Sequence, residues 1–231
     1  MGDTVVSQEK PSERRLALQA YEQLMNMILS GALPAGTVIR ERQLAERLEM
    51  SRTPLRDALS MLESEQLLVR HERRVLQVKP MDVREFIDNI AIRQLLEPEA
   101  ARLAAGRVAP GVLEGLRQRI LALIAAPAHG GVDRSELRAV DSDLHGAIGE
   151  AAGNPQLWRI VQGLRLRTVV FDLKSLPERF PESCREHLEL IALLEAAESE
   201  KAARAMFDHL ENVRTSIIAR LTSGSPRRRD A

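Results

Sequence analysis

The chain has 231 residues, and its 33 lysine and arginine residues balance 33 aspartate and glutamate residues, so the formal net charge is zero. That balance excludes a uniformly basic nucleic-acid binder and an acidic disordered chain, while it leaves local charged patches open. Only 3% of the residues are aromatic although 44% are hydrophobic, so the core must be aliphatic, which is typical of helical proteins.

The cysteine content and the hydropathy pattern indicate a compartment. The single cysteine, Cys184, excludes internal disulfides and thiolate zinc clusters and fits a reducing cytosol. The sequence has no apolar run of about 18 residues, and Met1–Lys10 lacks the apolar stretch of a signal peptide. We therefore expect a soluble, cytoplasmic protein that is mainly α-helical.

After a loose, polar N-terminus over residues 1–10, residues 11–79 show the pattern of a winged helix-turn-helix. Gly31 is placed to end the first helix, because glycine suits a helix C-terminus. Ser51 is placed to cap the third, and Pro54 is tolerated in its first turn, where N–H groups have no intrahelical acceptor. The predicted elements are helices over 12–30, 41–48 and 51–65 and short strands over 67–69 and 75–78.

From Met81 onward the helical periodicity continues to about residue 221. The breaks in this pattern mostly coincide with segments that contain glycine or proline. We therefore predict an all-α second domain over residues 80–221, which is too long for a simple four-helix bundle. Residues 222–231, which include Arg227–Arg229, are expected to form a basic flexible tail. The predicted helices cover residues 82–105, 110–126, 133–152, 155–174, 182–198 and 200–221.

The placement of charge in the first domain is more informative than its sum. Residues 1–79 hold 12 basic and 11 acidic side chains, a net charge of +1. Arg52 and Arg56 are four residues apart and share one face of the third helix, with Thr53 beside them. The first turns of a recognition helix meet base edges, and arginine also binds phosphates in a bidentate manner. The alternative is that both arginines are solvated surface residues, with Arg56 paired to a nearby acid.

The stretch from Leu44 to Leu59 and the following Leu62–Glu65 resemble the signature of the GntR family of bacterial transcription factors, since the cap, the early proline and both arginines match together. The resemblance implies a DNA-binding regulator in which Arg52 and Arg56 contact bases or phosphates. It also implies contacts from Ser51 and Thr53 to the DNA backbone and groove. Together with the basic hairpin tip, the candidate DNA-contacting residues are Arg42, Ser51, Arg52, Thr53, Arg56, Arg73 and Arg74.

Two positions depart from the family pattern. The family usually has glycine before the first wing strand and often has glycine at the wing tip, whereas this chain has Gln66 and Arg73. The resemblance therefore does not extend to the ends of the wing.

Four residues of the second domain form a candidate metal site. Asp141 and His145 lie four residues apart on one predicted helix, so their side chains can reach one point. His187 begins another predicted helix, and His209 lies within the last one. Three imidazole nitrogens and a carboxylate oxygen suit a divalent metal such as Zn²⁺, Ni²⁺, Mn²⁺ or Fe²⁺. Taken alone, an Asp-x-x-x-His spacing is also typical of a surface pair or of a histidine in helix packing.

The same region carries a second resemblance. In order and spacing, Asp141–His145, Ala151–Pro155, Glu186–His187 and His209–Leu210 are similar to the FCD domain, the ligand-binding half of the FadR-type GntR regulators. The metal ligands of metal-binding members occupy these Asp and His positions. The resemblance thus implies that Asp141, His145, His187 and His209 bind a divalent ion, with zinc as the first choice. It also indicates the six-helix, VanR-like branch.

An FCD domain also places an arginine of its first helix near the cavity, and Arg93 fits that position. Beside a metal ion, a guanidinium is a natural clamp for the carboxylate of a small effector. A salt bridge from Arg93 to Glu97, one turn later on the same helix, is an equally good interpretation.

These observations support one main hypothesis and two alternatives. The main hypothesis is a homodimeric repressor, not an enzyme, whose affinity for an inverted-repeat operator changes when a small organic acid binds the metal-containing domain. The first alternative is a metal-dependent enzyme that acts on a hydroxy or keto acid, and it would need a general base near the metal. No such base stands out, because Asp143 points away from the helix face that carries Asp141 and His145. In the second alternative, the metal is purely structural and no effector binds.

Overall fold

The computed structural model describes residues 10–71, 75–80, 82–126, 134–172 and 179–223. The chain divides into two compact units, Met1–Met81 and Asp82–Ala231. The described elements are helices with one two-stranded antiparallel sheet, which confirms the predicted fold class. The candidate residues Arg73 and Arg74, most of the predicted loose N-terminus and nearly all of the predicted basic tail lie outside the described residues.

The first unit contains the three helices and the hairpin that the sequence predicts. Strand pairing sets Leu68 opposite Val78 and His71 opposite Val75. The third helix packs against the first two helices and the first strand, and its buried face is aliphatic, with Leu55 and Leu62 fully enclosed. The elements are α1 (Lys10–Leu29), α2 (Glu41–Arg47), α3 (Arg52–Ser64), β1 (Leu68–His71) and β2 (Val75–Val78).

Ser51 occupies the N-cap position of α3, but the predicted capping hydrogen bond from its side chain is wrong. Its backbone has the extended conformation of an N-cap, and its hydroxyl makes no cap contact. A capping serine accepts a hydrogen bond from the N–H of the second or third helical residue. In α3 the third helical residue is Pro54, which has no N–H to donate, so of the two possible donors only the N–H of Thr53 remains.

The turn from α3 to β1 explains the family preference for glycine at position 66. Gln66 has a φ of +62°, in the left-handed region that glycine adopts without steric cost. Its N–H donates to the carbonyl of Glu63, and the N–H of Leu67 donates to the carbonyl of Leu62, each over 3.0 Å. These two bonds form a Schellman motif, which requires this conformation after the helix end.

The second unit is a bundle in which α4 packs against α6, α7 and α9, while α5 packs against α6 and α8. Its core is aliphatic, as the composition predicts, with Leu113, Leu144 and Ile191 among the buried side chains. The helix ends differ from the predicted ends by up to three residues. The helices are α4 (Val83–Ala104), α5 (Pro110–Ala125), α6 (Arg134–Ala151), α7 (Pro155–Asp172), α8 (Phe180–Glu195) and α9 (Ser199–Ser223).

A glycine allows α6 and α7 to approach closely. A Cβ atom added at Gly149 would lie 2.2 Å from ring atoms of Trp158, closer than carbon atoms can approach without displacement. The α6 helix carries Asp141 and His145, so this contact helps to hold the helix that supplies two of the predicted metal ligands.

Candidate functional site

The structure brings the four predicted metal ligands together in the second unit. Asp141 and His145 come from α6, His187 from α8 and His209 from α9. One possible ligand atom from each residue lies within 4.8 Å of the others. The centroids of the three imidazole rings are 4.8 to 6.0 Å apart, and the histidines are buried. The cluster therefore offers three nitrogens and one carboxylate, which is the predicted donor set.

Two imidazole nitrogens of this cluster are buried. The Nε2 atoms of His145 and His187 are buried and have no hydrogen-bond partner in the part of the chain that the structure describes. They lie 3.7 Å and 3.4 Å, respectively, from Oδ1 of Asp141. An unpaired buried polar atom costs about 1–3 kcal/mol, whereas an imidazole nitrogen that binds a metal ion has a partner. These residues therefore fit a divalent cation.

Arg165 on α7 lies directly against the carboxylate of the cluster. Its Nη2 atom donates to Oδ2 of Asp141 over 2.7 Å, and its Nη1 atom is 3.5 Å from Oε2 of Glu97. Burial acts to raise the pKa of Asp141, but Arg165 and then the neighbouring imidazoles hold that pKa well below its usual range. Asp141 is therefore ionised, which is the form of a carboxylate that binds a metal.

Arg93 pairs with Glu97, one turn later on α4. Its Nε atom donates to Oε1 of Glu97 over 2.5 Å, and its Nη1 atom donates to the hydroxyl of Thr168 over 2.8 Å. The other carboxylate oxygen of Glu97 is 2.5 Å from Nδ1 of His145. Arg93 is therefore linked through Glu97 to a predicted metal ligand, as the salt-bridge interpretation of the sequence anticipated.

The buried network sets the protonation of the cluster. Burial acts to raise the pKa of Glu97, but Arg93 and His145 hold that pKa well below its usual range. Burial lowers the pKa of His145 to about 4 and that of His187 to about 3. Both imidazoles are therefore neutral at pH 7, and a neutral imidazole is the form that binds a metal ion.

A second carboxylate contacts the histidine of α9. Oε2 of Glu186 is 2.7 Å from Nδ1 of His209. The other oxygen of Glu186 accepts hydrogen bonds from Arg179 and, over 2.8 Å, from the side-chain amide of Asn212. Burial acts to raise the pKa of Glu186, but the hydrogen bonds from His209 and Arg179 outweigh it and lower the pKa to about 2.

Asp143, which the sequence places off the face of the cluster, contacts Arg119 on α5. Oδ2 of Asp143 accepts a hydrogen bond from Arg119 Nη1 over 2.6 Å, and the side chain is 54% exposed. Asp143 is thus engaged at the surface of the bundle and not with the histidines.

In the first unit, the described candidates for DNA contact are exposed at the starts of α2 and α3. The side chains of Arg52 and Arg56 are each 58% exposed and meet at one carboxylate oxygen, Oε2 of Glu41, at 3.6 Å and 2.7 Å. Arg42 lies 3.7 Å from Glu46 on its own helix. The described candidates are Arg42, Ser51, Arg52, Thr53 and Arg56.

Several contacts of these sites were not predicted from the sequence. Glu41 stands directly before Arg42, but its contact with α3 depends on how the helix-turn-helix folds. The spacing of Arg93 and Glu97 indicates an ion pair, yet nothing in the sequence places Glu97 against His145. Glu186 precedes His187, although its partner is the histidine of the next helix.

Each of the two units matches a known protein family. The model of the bacterial regulatory proteins of the gntR family matches residues 16–78, and that of the FCD domain matches residues 88–212. The chain therefore belongs to the GntR family and is a DNA-binding transcriptional regulator with an FCD domain, as the sequence motifs indicate. None of the described helices has the length and apolar character needed to cross a membrane.

Similar proteins cover almost the whole chain. The HTH-type transcriptional repressor RspR of Escherichia coli is 25% identical over 222 residues, which are 93% of each chain. A protein of Paenarthrobacter nicotinovorans, named "Probable D-xylose utilization operon transcriptional repressor", is 28% identical over 196 residues, or 84% of this chain and 85% of that one. The solved structure of E. coli McbR/YncC has a TM-score of 0.75 at 25% identity and covers 88% of this chain and 98% of its own.

Proposed function

We propose that this regulator is a repressor whose DNA binding responds to a small carboxylate at a metal site in its FCD domain. The observation that carries the proposal is the cluster of Asp141 with the buried His145, His187 and His209, in which two Nε2 atoms lack hydrogen-bond partners among the described residues. Zinc suits this donor set best, and nickel, manganese and iron are chemically reasonable alternatives. A bound ion would supply a positive centre for an anionic ligand. The naming of RspR as a repressor supports the direction of regulation.

The charge balance around the cluster supports an anionic effector. The guanidiniums of Arg93 and Arg165 balance the carboxylates of Glu97 and Asp141. A divalent ion would add two positive charges to this buried group, and uncompensated buried charge is costly. A small organic acid would compensate that charge, and Arg93 and Arg165 are the guanidiniums available to orient it.

DNA recognition is assigned to the exposed start of α3. Arg52 and Arg56 would contact bases or phosphates, with Ser51 and Thr53 at the backbone and groove. Arg42, Arg73 and Arg74 would add further contacts to phosphates. Because Glu41 engages both arginines of α3 in the free protein, DNA must replace this ion pair as it binds.

The proposed regulator acts in the cytoplasm as a homodimer on an inverted-repeat operator, since operator symmetry mirrors the symmetry of a dimeric protein. An effector changes operator affinity only if it binds the two states of the dimer with different free energies. A change in the spacing of the two winged helices would provide such a difference.

The test combines metal analysis with DNA binding. The purified protein is analysed for zinc, nickel, manganese and iron, and genomic fragments that it selects are footprinted. A panel of small mono-, di- and tricarboxylates is then screened for thermal stabilisation and for altered DNA binding. We expect a bound divalent metal and at least one acid that changes both properties. A metal without any effect of the acids would favour a structural ion, and steady turnover of a hydroxy or keto acid would favour an enzyme.

A further inference from the structure

Glu97 lies where the buried ionic network of the second unit meets the candidate metal cluster. Its side chain is 3% exposed. One oxygen accepts a hydrogen bond from Arg93, and the other is 2.5 Å from Nδ1 of His145 and 3.5 Å from Arg165. A carboxylate between two guanidiniums is ionised, so it can accept hydrogen bonds but cannot donate them.

This contact determines which nitrogen of His145 carries the proton. A neutral imidazole has one N–H donor and one nitrogen with a free lone pair. Because Glu97 only accepts, Nδ1 must be the donor, which leaves the lone pair on Nε2. Nε2 is buried, has no hydrogen-bond partner in the part of the chain that the structure describes, and lies 3.7 Å from Asp141. Glu97 thereby presents the metal-binding nitrogen of His145 to the cluster.

The same arrangement recurs at a second histidine. Nδ1 of His209 is 2.7 Å from Glu186, and Glu186 is itself held by Arg179 and Asn212. Two of the three clustered histidines therefore have Nδ1 against a carboxylate that is fixed by further hydrogen bonds. Metal-binding histidines commonly donate their second ring nitrogen to such a group, which fixes the tautomer and the orientation of the ring.

We infer that Glu97 is a positioning residue for the metal site: it accepts the Nδ1 proton of His145, orients that imidazole and keeps Nε2 available to the ion. Arg93 acts one step further away, because it holds Glu97 in place, and Thr168 in turn binds Arg93. The role of Glu97 rests on the proposed function, since it requires a metal ion at the cluster.

The primary test compares the zinc affinity of the full-length wild type with that of Glu97→Gln, by competition with a chromophoric chelator. Glutamine keeps the size of the side chain, but its amide can donate as well as accept and does not select one tautomer. Loss of such a partner lowers metal affinity by about 10- to 100-fold, and we expect a loss in this range. Glu99→Gln is the matched control, because Glu99 lies on the same helix and pairs with Arg102 at the surface. Its zinc affinity should equal that of the wild type.

A double variant separates the hydrogen bond from the charge. Glu97→Gln alone leaves the buried Arg93 without its main counter-charge, whereas Arg93→Met combined with Glu97→Gln removes both charges together. We expect the double variant to show the same loss of zinc affinity. A return to wild-type affinity would show that charge imbalance caused the loss, and would overturn the role of Glu97.

A second readout needs no metal. Imidazole ¹H–¹⁵N spectra of the zinc-free protein should place the proton of His145 on Nδ1 in the wild type and on both nitrogens, as a mixture, in Glu97→Gln. A proton on Nε2 in the wild type would overturn the inference while leaving the metal site standing, and so would wild-type zinc affinity in Glu97→Gln. If the wild type binds no zinc, the proposed metal site itself fails and the role of Glu97 fails with it.

Discussion

Replacement of His187 by leucine separates metal binding from the stability of the fold. His187 is 2% exposed, and its Nε2 atom is buried without a hydrogen-bond partner among the described residues. In the metal-free protein such an atom costs about 1–3 kcal/mol, and a leucine of similar size removes this cost. We therefore expect metal-free His187→Leu to equal the wild type in free energy of unfolding or to exceed it by up to about 3 kcal/mol.

With zinc present, the order of stability should reverse. At a free zinc concentration about 100 times Kd, binding stabilises a protein by about 2.7 kcal/mol. In a unit the size of Asp82–Ala231, each kcal/mol raises Tm by about 2–4 °C. Zinc should accordingly raise the Tm of the wild type by about 5–11 °C. His187→Leu removes one of the four proposed ligands and should lose most of that increase.

The assay is urea and thermal unfolding in EDTA and in zinc, followed by circular dichroism and by the emission of Trp158, the only tryptophan. His71→Gln, which alters an exposed histidine of β1, is the control and should keep the full zinc effect. The reasoning would be refuted by a metal-free His187→Leu that is clearly less stable than the wild type. A full zinc effect in that variant would refute it equally.

Five further predictions concern DNA binding, stability and the reactivity of the single cysteine. Arg56→Ala should weaken operator binding by about 1–3 kcal/mol in gel-shift assays. In the same assays, Glu41→Gln should strengthen binding to non-specific DNA, because it releases Arg52 and Arg56 from their ion pair with Glu41. Gln66→Gly should stabilise the protein by about 1 kcal/mol in urea unfolding, since glycine adopts a positive φ without strain. Gly149→Ala should destabilise it by about 1–3 kcal/mol, because the added Cβ overlaps an indole ring. The thiol of Cys184 should react with a disulfide reagent at pH 8 only after unfolding, since burial raises its pKa to about 11. The stability that the buried thiol gives to the folded state should be complete below pH 9 and should decline towards pH 11, because the thiol of the unfolded chain loses its proton at a lower pH.

Three of these predictions have a control or a result that would contradict them. Gly115→Ala is the control for Gly149→Ala, because Gly115 is a helical glycine with nothing near its Cβ position. This change should raise the free energy of unfolding by up to about 1 kcal/mol. A similar gain for Gly149→Ala would contradict the close packing of α6 and α7. Weaker DNA binding by Glu41→Gln would show that Glu41 orients the arginines and does not compete with DNA. Rapid reaction of native Cys184 would contradict its burial.

Local signals in the sequence were sufficient for the elements of the fold. Aliphatic periodicity, glycine at helix ends and proline in first turns depend on neighbours a few residues away, so the described helices and strands lie within three residues of their predicted places. The predicted capping contact of Ser51 was wrong, and Pro54 at the third helical position removes one of the two N–H groups that could have donated to the serine. Gln66 has the positive φ that glycine adopts without strain, so the family preference for glycine at this position reflects backbone conformation.

The sequence by itself determined which residue types are present and how they are spaced: an aliphatic helical core, a third helix with two arginines on one face, and three histidines and one aspartate that can serve as a donor set. Residue type and spacing within one helix carry that information. Only the tertiary structure decided which groups meet across helices, because such contacts depend on how the helices pack. Packing places Glu97 of α4 against His145 of α6 and Glu41 of α2 between the arginines of α3. Among the described residues, several opposite charges thus meet in specific pairs, and the two exposed arginines of α3 share one of them.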